Sequence, residues 1–475
     1  MVLSHEQSVA FAKFRQGHNL VVTGPGGTGK SKLIEHFVSY CIDIRKNIQV
    51  TALTGCASLL LGLNAKTIHS WSGIRLCKGP NDDIIEKAVR NRRTSKNWKS
   101  AQILIIDEAS MMSAKMLEVL NAIGQKIRKS DRPFGGIQVV LTCDFYQLPP
   151  IGSHDDETSG QFCFESPVYN TIFPWENHVV LTKIFRQTDQ QYINILNEIR
   201  EGQIGESNAE LLRTYVNRTY DKSKYGGAAL TKLFPTKSRV DAVNDAMFKQ
   251  IDADTHMYCA EMCTNGIVNH ATKKNIDAET IHICNKLTAQ EKENELQFLM
   301  NNTPCIKELE LKKGATIMCT ANIDLSIGIC NGSQGIIVDF VGDVPKVQFY
   351  NGVIKLMEKH VWASETYPTI YIMQYPIMLA WAITIHKIQG TTLAMAEMDI
   401  GQNIFTYGQT YVALSRIKSL DGLYLSSFEP SRVKANPKVK HYYSQIPATP
   451  TPEPELVEEP PEKDPNIKVI KHLKI

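Results

Sequence analysis

The chain has no apolar run approaching the roughly 18 residues that a membrane-spanning helix needs, and its N-terminus shows no signal peptide. It also lacks a charge excess: 52 Lys and Arg against 49 Asp and Glu leave +3. Composition alone therefore does not announce a nucleic-acid binder, although a cleft can focus a basic field in a nearly neutral protein. A disulfide framework is missing too. The 11 cysteines are an odd number, and several, such as Cys143 and Cys319, sit in strand-like segments, which points to reduced thiols. Cys259 and Cys263, with His256, His270 and His282 nearby, admit zinc, but their spacings match no common finger, and buried or idle side chains are the preferred reading. What remains is an ordinary globular composition, 43% hydrophobic and 21% charged over 475 residues, with a length prior of about three domains. The expected setting is intracellular and soluble, with no membrane partner.

Against this plain background one segment stands out. Gly24-Pro25-Gly26-Gly27-Thr28-Gly29-Lys30-Ser31 follows the apolar run 19–23 and precedes a stretch with Leu33, Ile34, Phe37 and Val38 on one helical face. Strand, glycine-rich loop and helix in that order form a phosphate cradle. Backbone N–H groups crowd around phosphate oxygens, Lys30 reaches the β- and γ-phosphates, and the Ser31 hydroxyl can bind Mg²⁺. A second anchor, Ile103-Leu104-Ile105-Ile106-Asp107-Glu108, reads as a buried parallel strand delivering carboxylates to its C-terminal edge. Phosphoryl transfer to water needs a metal on the phosphates and a group to position the attacking water. Asp107 suits the first role, through Mg²⁺, and Glu108 the second.

Strand-like runs at 19–23, 48–53, 102–106, 137–142 and 178–182 alternate with helix-forming segments, which predicts a mostly parallel sheet covered on both faces over residues 1–185. The polar, basic stretch Ile74 to Ser100 is expected to project from that domain. Within it Arg90, Arg92, Arg93, Lys96 and Lys99 surround Trp98, a pattern that suits a single strand but suits a solvated loop slightly better. A second α/β unit spans about 186–447, with elements at Ala229 to Phe234, Pro376 to Ile385 and Gly422 to Ser426. Inside it, about 311–365 changes texture to short β-rich pieces with turn signals at Lys313-Gly314, Asn331-Gly332, Gly342-Asp343 and Asn351-Gly352, read as an inserted β-barrel. The Pro/Glu-rich tail 448–475 is expected to be disordered.

Longer motifs then carry a family resemblance. Gly135 to Pro150, ending Asp144-Phe145-Tyr146-Gln147-Leu148-Pro149-Pro150, resembles the third helicase motif of the petite-integration-frequency (PIF) family of superfamily-one DNA helicases, the RecD-like branch. Leu3-Ser4-His5-Glu6-Gln7 is similar to its adenine-reading Q motif, and Thr54-Gly55-Cys56-Ala57 with Thr67-Ile68-His69-Ser70 to its strand-binding motif. The second half supplies Phe185-Arg186-Gln187, Leu233-Phe234-Pro235-Thr236, Asn331-Gly332-Ser333-Gln334-Gly335, Leu379 to Gly390, and Tyr411-Val412-Ala413-Leu414-Ser415-Arg416. Three small residues depart from the pattern: Cys143 where glycine is usual, Gly26 where alanine is common, and Ala109 where isoleucine is common. The longer N-terminal extension of the family is expected to be absent, as in compact bacterial and large-DNA-virus relatives.

The resemblance implies an α/β fold of two tandem RecA-like P-loop lobes, with a small wedge-like projection in the first and an SH3-like barrel in the second. It implies an ATP-dependent DNA helicase moving 5′-to-3′ on single-stranded DNA in replication, recombination, repair or telomere maintenance. ATP and Mg²⁺ are the implied cofactors. Lys30, Asp107, Glu108, Gln147, Arg186 and Arg416 form the implied catalytic set, Arg186 and Arg416 meeting the γ-phosphate on lobe closure and Gln147 sensing it. Gln7, Gly24, Gly26, Gly27, Thr28, Gly29, Lys30, Ser31 and Gly390 are the implied nucleotide contacts, with Ser31 and Asp107 on the metal. Thr54, His69, Ser70, Thr236, Thr384, His386 and Lys387 are the implied strand contacts, through groups that suit phosphate and sugar and carry no sequence information. The expected partners are single-stranded DNA, duplex junctions and replication or recombination proteins, the chain acting as a monomer in a nucleus or viral replication site ahead of the cytoplasm. RecD-like service in a nuclease complex, and a catalytically silent DNA clamp, are the alternatives.

Overall fold

The computed structural model describes residues 3–63, 65–75, 77–153, 156–220, 230–269, 274–364 and 366–448. Leu20–Thr23 (β1), Ile48–Ala52 (β2), Lys66–Thr67 (β3), Ile103–Asp107 (β4), Gln138–Cys143 (β5) and His178–Val180 (β6) form one six-stranded sheet in the order β3-β2-β4-β5-β1-β6. Every pairing in it is parallel. β1 and β4 are buried along their whole length, which is why they read as unbroken apolar runs. The period of two still sorts their side chains. Leu20, Val22, Ile103 and Ile105 pack with Phe14, Leu33 and Phe37 from the helices His5–Arg15 and Lys30–Asp43. Val21, Leu104 and Ile106 pack on the other face with Leu117, Leu120 and Ile123 of the helix Ala114–Arg128.

The second lobe repeats the theme on four parallel strands, Ala382–Thr384, Lys232–Phe234, Ala396–Ile400 and Leu423–Phe428 in that order. Its core joins Leu233, Ile383 and Met398 to Tyr192, Ile195 and Ile199 of the helix Gln190–Arg200 and to Tyr411 through Leu414. Between the second-lobe strands lies an antiparallel five-stranded sheet, ordered Ile354–Leu356, Val344–Phe349, Gln334–Val341, Thr316–Cys319 and Ile377–Leu379. Its hairpin turns carry Gly342 at φ 60° and Gly352 at φ 87°, the left-handed conformation those turn signals promised. The architecture is thus two tandem RecA-like α/β lobes with an SH3-like insertion in the second.

Three expectations about organisation need correction. The apolar run Pro376 to Ile385 is two strands: Ile377–Leu379 closes the inserted sheet against Thr316–Cys319, and Ala382–Thr384 then enters the second lobe's sheet. The insertion also recruits strands outside 311–365, pairing His256–Cys259 with Glu308–Leu311 and Glu261–Cys263 with Tyr371–Gln374. The basic stretch before Ser100 forms two helices, Asn81–Arg90 and Arg92–Ser100, rather than a loop. Its Trp98 is fully buried, donates its indole N–H to the Ser72 carbonyl at 3.2 Å and packs on Trp71, so it offers no face to a base.

The helix Pro437–Gln445, on the second-lobe side of the expected division, packs in the first lobe's core through Val439 and Tyr442. Tyr442 stacks on Phe164 and shares its hydroxyl with Tyr169 at 2.9 Å. The tail 449–475, His270 and Ala229 lie outside the described residues. Among the described residues no group of three or more His, Cys, Asp or Glu is placed to hold a metal ion, and His256 instead stacks on Phe340. No described helix is long and apolar enough to cross a membrane.

Candidate active site

The loop after β1 is shaped by two glycines that nothing else could replace. Gly24 has φ 146°, and a Cβ there would sit 2.3 Å from the Leu181 carbonyl oxygen; Gly27 has φ 88°, with a Cβ position 2.5 Å from that of Arg186. Gly26 differs. The atoms nearest its Cβ position are Arg186 Nη1 at 3.7 Å and Arg416 Nη2 at 3.8 Å, ordinary contact distances that leave room for the alanine common in the family. Lys30 opens the helix Lys30–Asp43 and donates to the carbonyls of Gly24 and Pro25 at 2.6 and 2.9 Å. Burial lowers its pKa, and the nearby charges of Asp144, Glu108 and Asp107 act in the opposite direction. Thr28 closes the loop on the Pro25 carbonyl at 2.9 Å, and Ser31 stands exposed in the first turn.

Gln7 lies against the phosphate loop. It is buried, its Oε1 accepts from the Ser4 N–H at 3.0 Å as part of a capping box, and its Nε2 donates to the Thr28 carbonyl at 3.3 Å. The amide thereby ties the first helix to the phosphate loop.

β4 delivers the two acids to the sheet's C-terminal edge. Asp107 is buried and takes a short hydrogen bond from the Thr142 hydroxyl of β5. Burial first, and the neighbouring Glu108 charge second, push its pKa up to about 6. Glu108 turns out of the strand at φ 54°, a left-handed conformation rare outside glycine. Its Oε2 accepts from Gln389 Nε2 at 3.3 Å, and the same Nε2 donates to Gln147 Oε1 at 3.4 Å. Gly390, at φ 83°, has a Cβ position 3.7 Å from Glu108 Oε1. Glu108, Gln147 and the second-lobe Gln389-Gly390 turn therefore meet at one point.

Both expected arginines reach the phosphate loop, as the distances from Gly26 record. Arg416 is 1% exposed and spends its donors on neutral oxygens: Val412 carbonyl at 2.9 Å, Ser415 Oγ at 2.8 Å and Thr391 carbonyl at 3.3 Å. Arg186 donates to the Ser415 carbonyl at 3.2 Å. Among the described residues neither forms an ion pair with a carboxylate. Burial, and then the Arg186 charge, bring the Arg416 pKa down to about 10, still charged at neutral pH.

Sequence reasoning missed the hub behind this pocket. Asp144, at the end of β5, is fully buried and binds Arg200 through Nη2 at 2.8 Å and Nε at 3.1 Å. The Tyr411 hydroxyl donates to Asp144 Oδ2 at 3.0 Å and accepts from the Gly26 N–H at 3.0 Å, tying the loop to the second lobe. Tyr443 adds its hydroxyl to Asp144 at 3.4 Å and to Thr23 at 2.5 Å, while Arg200 lies over the rings of Tyr146 and Tyr443 at 4.5 and 5.1 Å. Asp144 was in view within its motif, but its partners come from distant parts of the chain.

The expected strand contacts fall in two groups, each at the C-terminal edge of its own sheet. Thr54 follows β2 and accepts from the Ala57 N–H at 3.1 Å; His69 and Ser70 follow β3 in the short helix Ile68–Ser72. Burial lowers the His69 pKa to about 4, so it is a neutral imidazole. Thr236 lies two residues after Lys232–Phe234, and Thr384 ends the strand Ala382–Thr384, its hydroxyl accepting from the Lys387 N–H at 3.4 Å. His386 stacks on the exposed Phe405, and Lys387 is exposed. Arg75, just after the short helix that carries His69 and Ser70, pairs with Glu295 of the helix Ala289–Asn302 at 3.9 Å.

Residues 2–210 match the family described as PIF1-like helicase, and residues 296–340 match the 2B domain of DNA helicase Pif1. The crystal structure of Pif1 helicase from Candida albicans superposes with a TM-score of 0.76 at 31% identity, covering 94% of this chain and 100% of that one. The chain belongs to the PIF1-like helicase family. The ATP-dependent DNA helicase PIF1 of Xenopus laevis is 33% identical over 451 residues, which are 94% of this chain and 64% of that protein, so the chain spans under two thirds of that relative's length. A Bacteroides Pif1 in complex with ADP-AlF3 and single-stranded DNA has a TM-score of 0.64 at 25% identity, covering 94% of this chain and 97% of that one. The family match embraces the phosphate loop, Asp107, Glu108, Gln147 and Arg186; Arg416 lies beyond residue 210, within the stretch shared with the solved structures.

Proposed function

We propose that the chain is an ATP-dependent DNA helicase that moves 5′-to-3′ along single-stranded DNA and separates duplexes at junctions. The observation that carries this reading is the pair of half-buried Arg186 and buried Arg416, set against the phosphate loop of the opposite lobe with no carboxylate partner among the described residues. Two desolvated guanidinium groups facing a nest of backbone N–H groups suit a polyanion, and a triphosphate held by the loop is the one the motif implies. The Bacteroides relative's complex with ADP-AlF3 and single-stranded DNA supports the same ligand pair.

In this reading Lys30 exchanges the Gly24 and Pro25 carbonyls for β- and γ-phosphate oxygens. Ser31 and Asp107 are the residues that would hold Mg²⁺, a hard cation suited to a hydroxyl and a carboxylate; when bound it would neutralise charge on the phosphates. Glu108 orients the attacking water, and Arg186 and Arg416 stabilise charge that grows as the γ-phosphoryl leaves. Thr54, His69, Ser70, Thr236, Thr384, His386 and Lys387 grip the strand on both lobes, so closing on the nucleotide shifts one grip against the other. The chain would act as a monomer beside replication or recombination proteins.

The test is strand displacement on duplexes carrying a 5′ or a 3′ single-stranded tail, alongside ATP hydrolysis with and without an oligonucleotide. Unwinding of the 5′-tailed duplex and strand-stimulated hydrolysis are expected. Unwinding restricted to the 3′ tail would overturn the polarity, and hydrolysis indifferent to the strand would overturn translocation.

A further inference from the structure

Gln389 sits where the two lobes meet and leaves one atom unexplained. Its side chain is 7% exposed, its Nε2 serves Glu108 Oε2 and Gln147 Oε1, and its Oε1 is buried with no hydrogen-bond partner. The reverse orientation of the amide would aim a carbonyl oxygen at a carboxylate and at another carbonyl, so the two acceptors fix the assignment. A buried acceptor without a donor carries a desolvation cost that nothing offsets. Such an atom, beside the acid that would position water, needs a functional reason.

A water attacking a phosphoryl group has two hydrogens to place. Glu108 accepts one; the second needs another fixed acceptor if the lone pair is to point at phosphorus. We propose that Gln389 Oε1 is that acceptor, making Gln389 a water-orienting catalytic residue of the hydrolysis reaction, supplied by the second lobe. The step balances without further reagents. The water oxygen bonds to the γ-phosphorus, the bond from that phosphorus to the β–γ bridging oxygen breaks, and ADP leaves with the electron pair while the proton departs toward Glu108.

The same short turn gives the assignment a second consequence. Thr384, His386 and Lys387 precede Gln389 within the turn Ile385–Ile388 and its cap, and Thr384 holds that turn through the Lys387 N–H. Ile385 and Ile388 anchor it in the second lobe's core. A strand gripping Thr384 and Lys387 therefore bears directly on the placement of Oε1. Strand-stimulated hydrolysis becomes the expected behaviour, because the strand orders the residue that completes the water site.

This inference rests on the proposed ATPase reading, and the experiment separates the two. In the full chain, Gln389→Ala and the length-preserving Gln389→Met are compared with wild type for hydrolysis with and without oligo(dT), for oligo(dT) binding by fluorescence anisotropy, and for binding of ADP and of ADP with aluminium fluoride. The strand-stimulated kcat should fall roughly 10- to 100-fold, in the range of a lost positioning group. KM for ATP, ADP affinity and oligo(dT) affinity should stay within about twofold, while the preference for ADP–aluminium fluoride over ADP falls in step with kcat. A kcat within twofold of wild type in either folded variant overturns the assignment, as does a loss shared equally by ADP or oligo(dT) binding. A wild-type chain that hydrolyses no ATP would overturn the parent reading and this one together; a stimulated wild type with equally stimulated variants overturns this one alone.

Discussion

Replacing Asp144 with alanine isolates the contact that holds the lobes in register. The carboxylate is buried with no exposed surface, and its partner Arg200 is 11% exposed at the side chain. Burial alone would raise the Asp144 pKa, but the Arg200 and Lys30 charges and the bonds from Arg200 and Tyr411 outweigh it and hold the group below its ordinary value. Removing one partner of a buried pair leaves an uncompensated charge and costs about 3–5 kcal/mol. The Tyr146 and Tyr443 rings under Arg200 remain and soften the loss at the lower end. At about 2–4 °C per kcal/mol for units of this size, the thermal midpoint should drop by roughly 6–20 °C. Arg200→Met should cost a similar amount, and the double variant should cost much less than the sum, since no charge is then stranded. Because the folded pKa is depressed, the stabilisation is complete above the ordinary carboxylate range and is lost as pH falls through the folded value. A drop under about 2 °C at pH 7, or strictly additive losses, would refute the account of this hub.

Arg416→Ala should slow strand-stimulated hydrolysis by about 100- to 1,000-fold while fluorescent ADP still binds; unchanged turnover would remove the charge-stabilising role. Gly26→Ala should be silent in melting and hydrolysis, since nothing lies closer than 3.7 Å to its Cβ position, whereas Gly24→Ala, 2.3 Å from Leu181 O, should abolish nucleotide binding. His178 is held neutral by burial, its pKa down to about 4 although backbone hydrogen bonds to Pro174 and Trp175 and the Glu176 charge act to raise it. The unfolded chain takes up its proton first, so stability should fall by up to about 3 kcal/mol as pH drops from 6.5 to 4, and a His178→Phe variant should lose that part of the slope in urea titrations.

The phosphate loop and the Asp107-Glu108 strand were legible because their signals are local: a glycine pattern whose sterics the backbone obeys, and an apolar run whose burial on both faces it records. The insertion's turns were legible for the same reason. Trp98 was misread because a basic run hides its own periodicity. Thr94 and Trp98 face inward one helical turn apart while Arg92, Lys96 and Lys99 take the outer face, and a list of residue types does not separate the two faces. Pro376 to Ile385 read as one element because a short apolar run carries no mark of where it changes sheets. The hub was invisible for a different reason. Asp144 meets Arg200, Tyr411 and Tyr443 from 56, 267 and 299 residues away, and no spacing rule reaches across such distances. Gln389 did carry a signal, as a polar residue beside a glycine inside a quoted motif, yet only the orphaned Oε1 shows why an amide is needed there.

The two inter-lobe contacts differ in kind, and a nucleotide can act on only one of them. At the hub, Asp144 and Arg200 attract across the boundary and are complete without a ligand. At the loop, Arg186 and Arg416 of the second lobe lie against the first lobe's phosphate loop with no carboxylate partner among the described residues, and burial first, then the Arg186 charge, brings the Arg416 pKa down to about 10. That side is the one a polyanion in the loop would complete. In the proposed reading a triphosphate there would favour closure, and its hydrolysis and release would remove that gain while the hub stays in place. Tyr411 belongs to both sides, bonded to Asp144 and to Gly26 N–H, so a shift at either contact is felt at the other within one side chain. Neutralising Arg186 should therefore weaken triphosphate-dependent closure and leave the hub's contribution to melting in place. In the proposed helicase reading, that difference between a permanent contact and a ligand-dependent one would be what couples hydrolysis to movement along a strand.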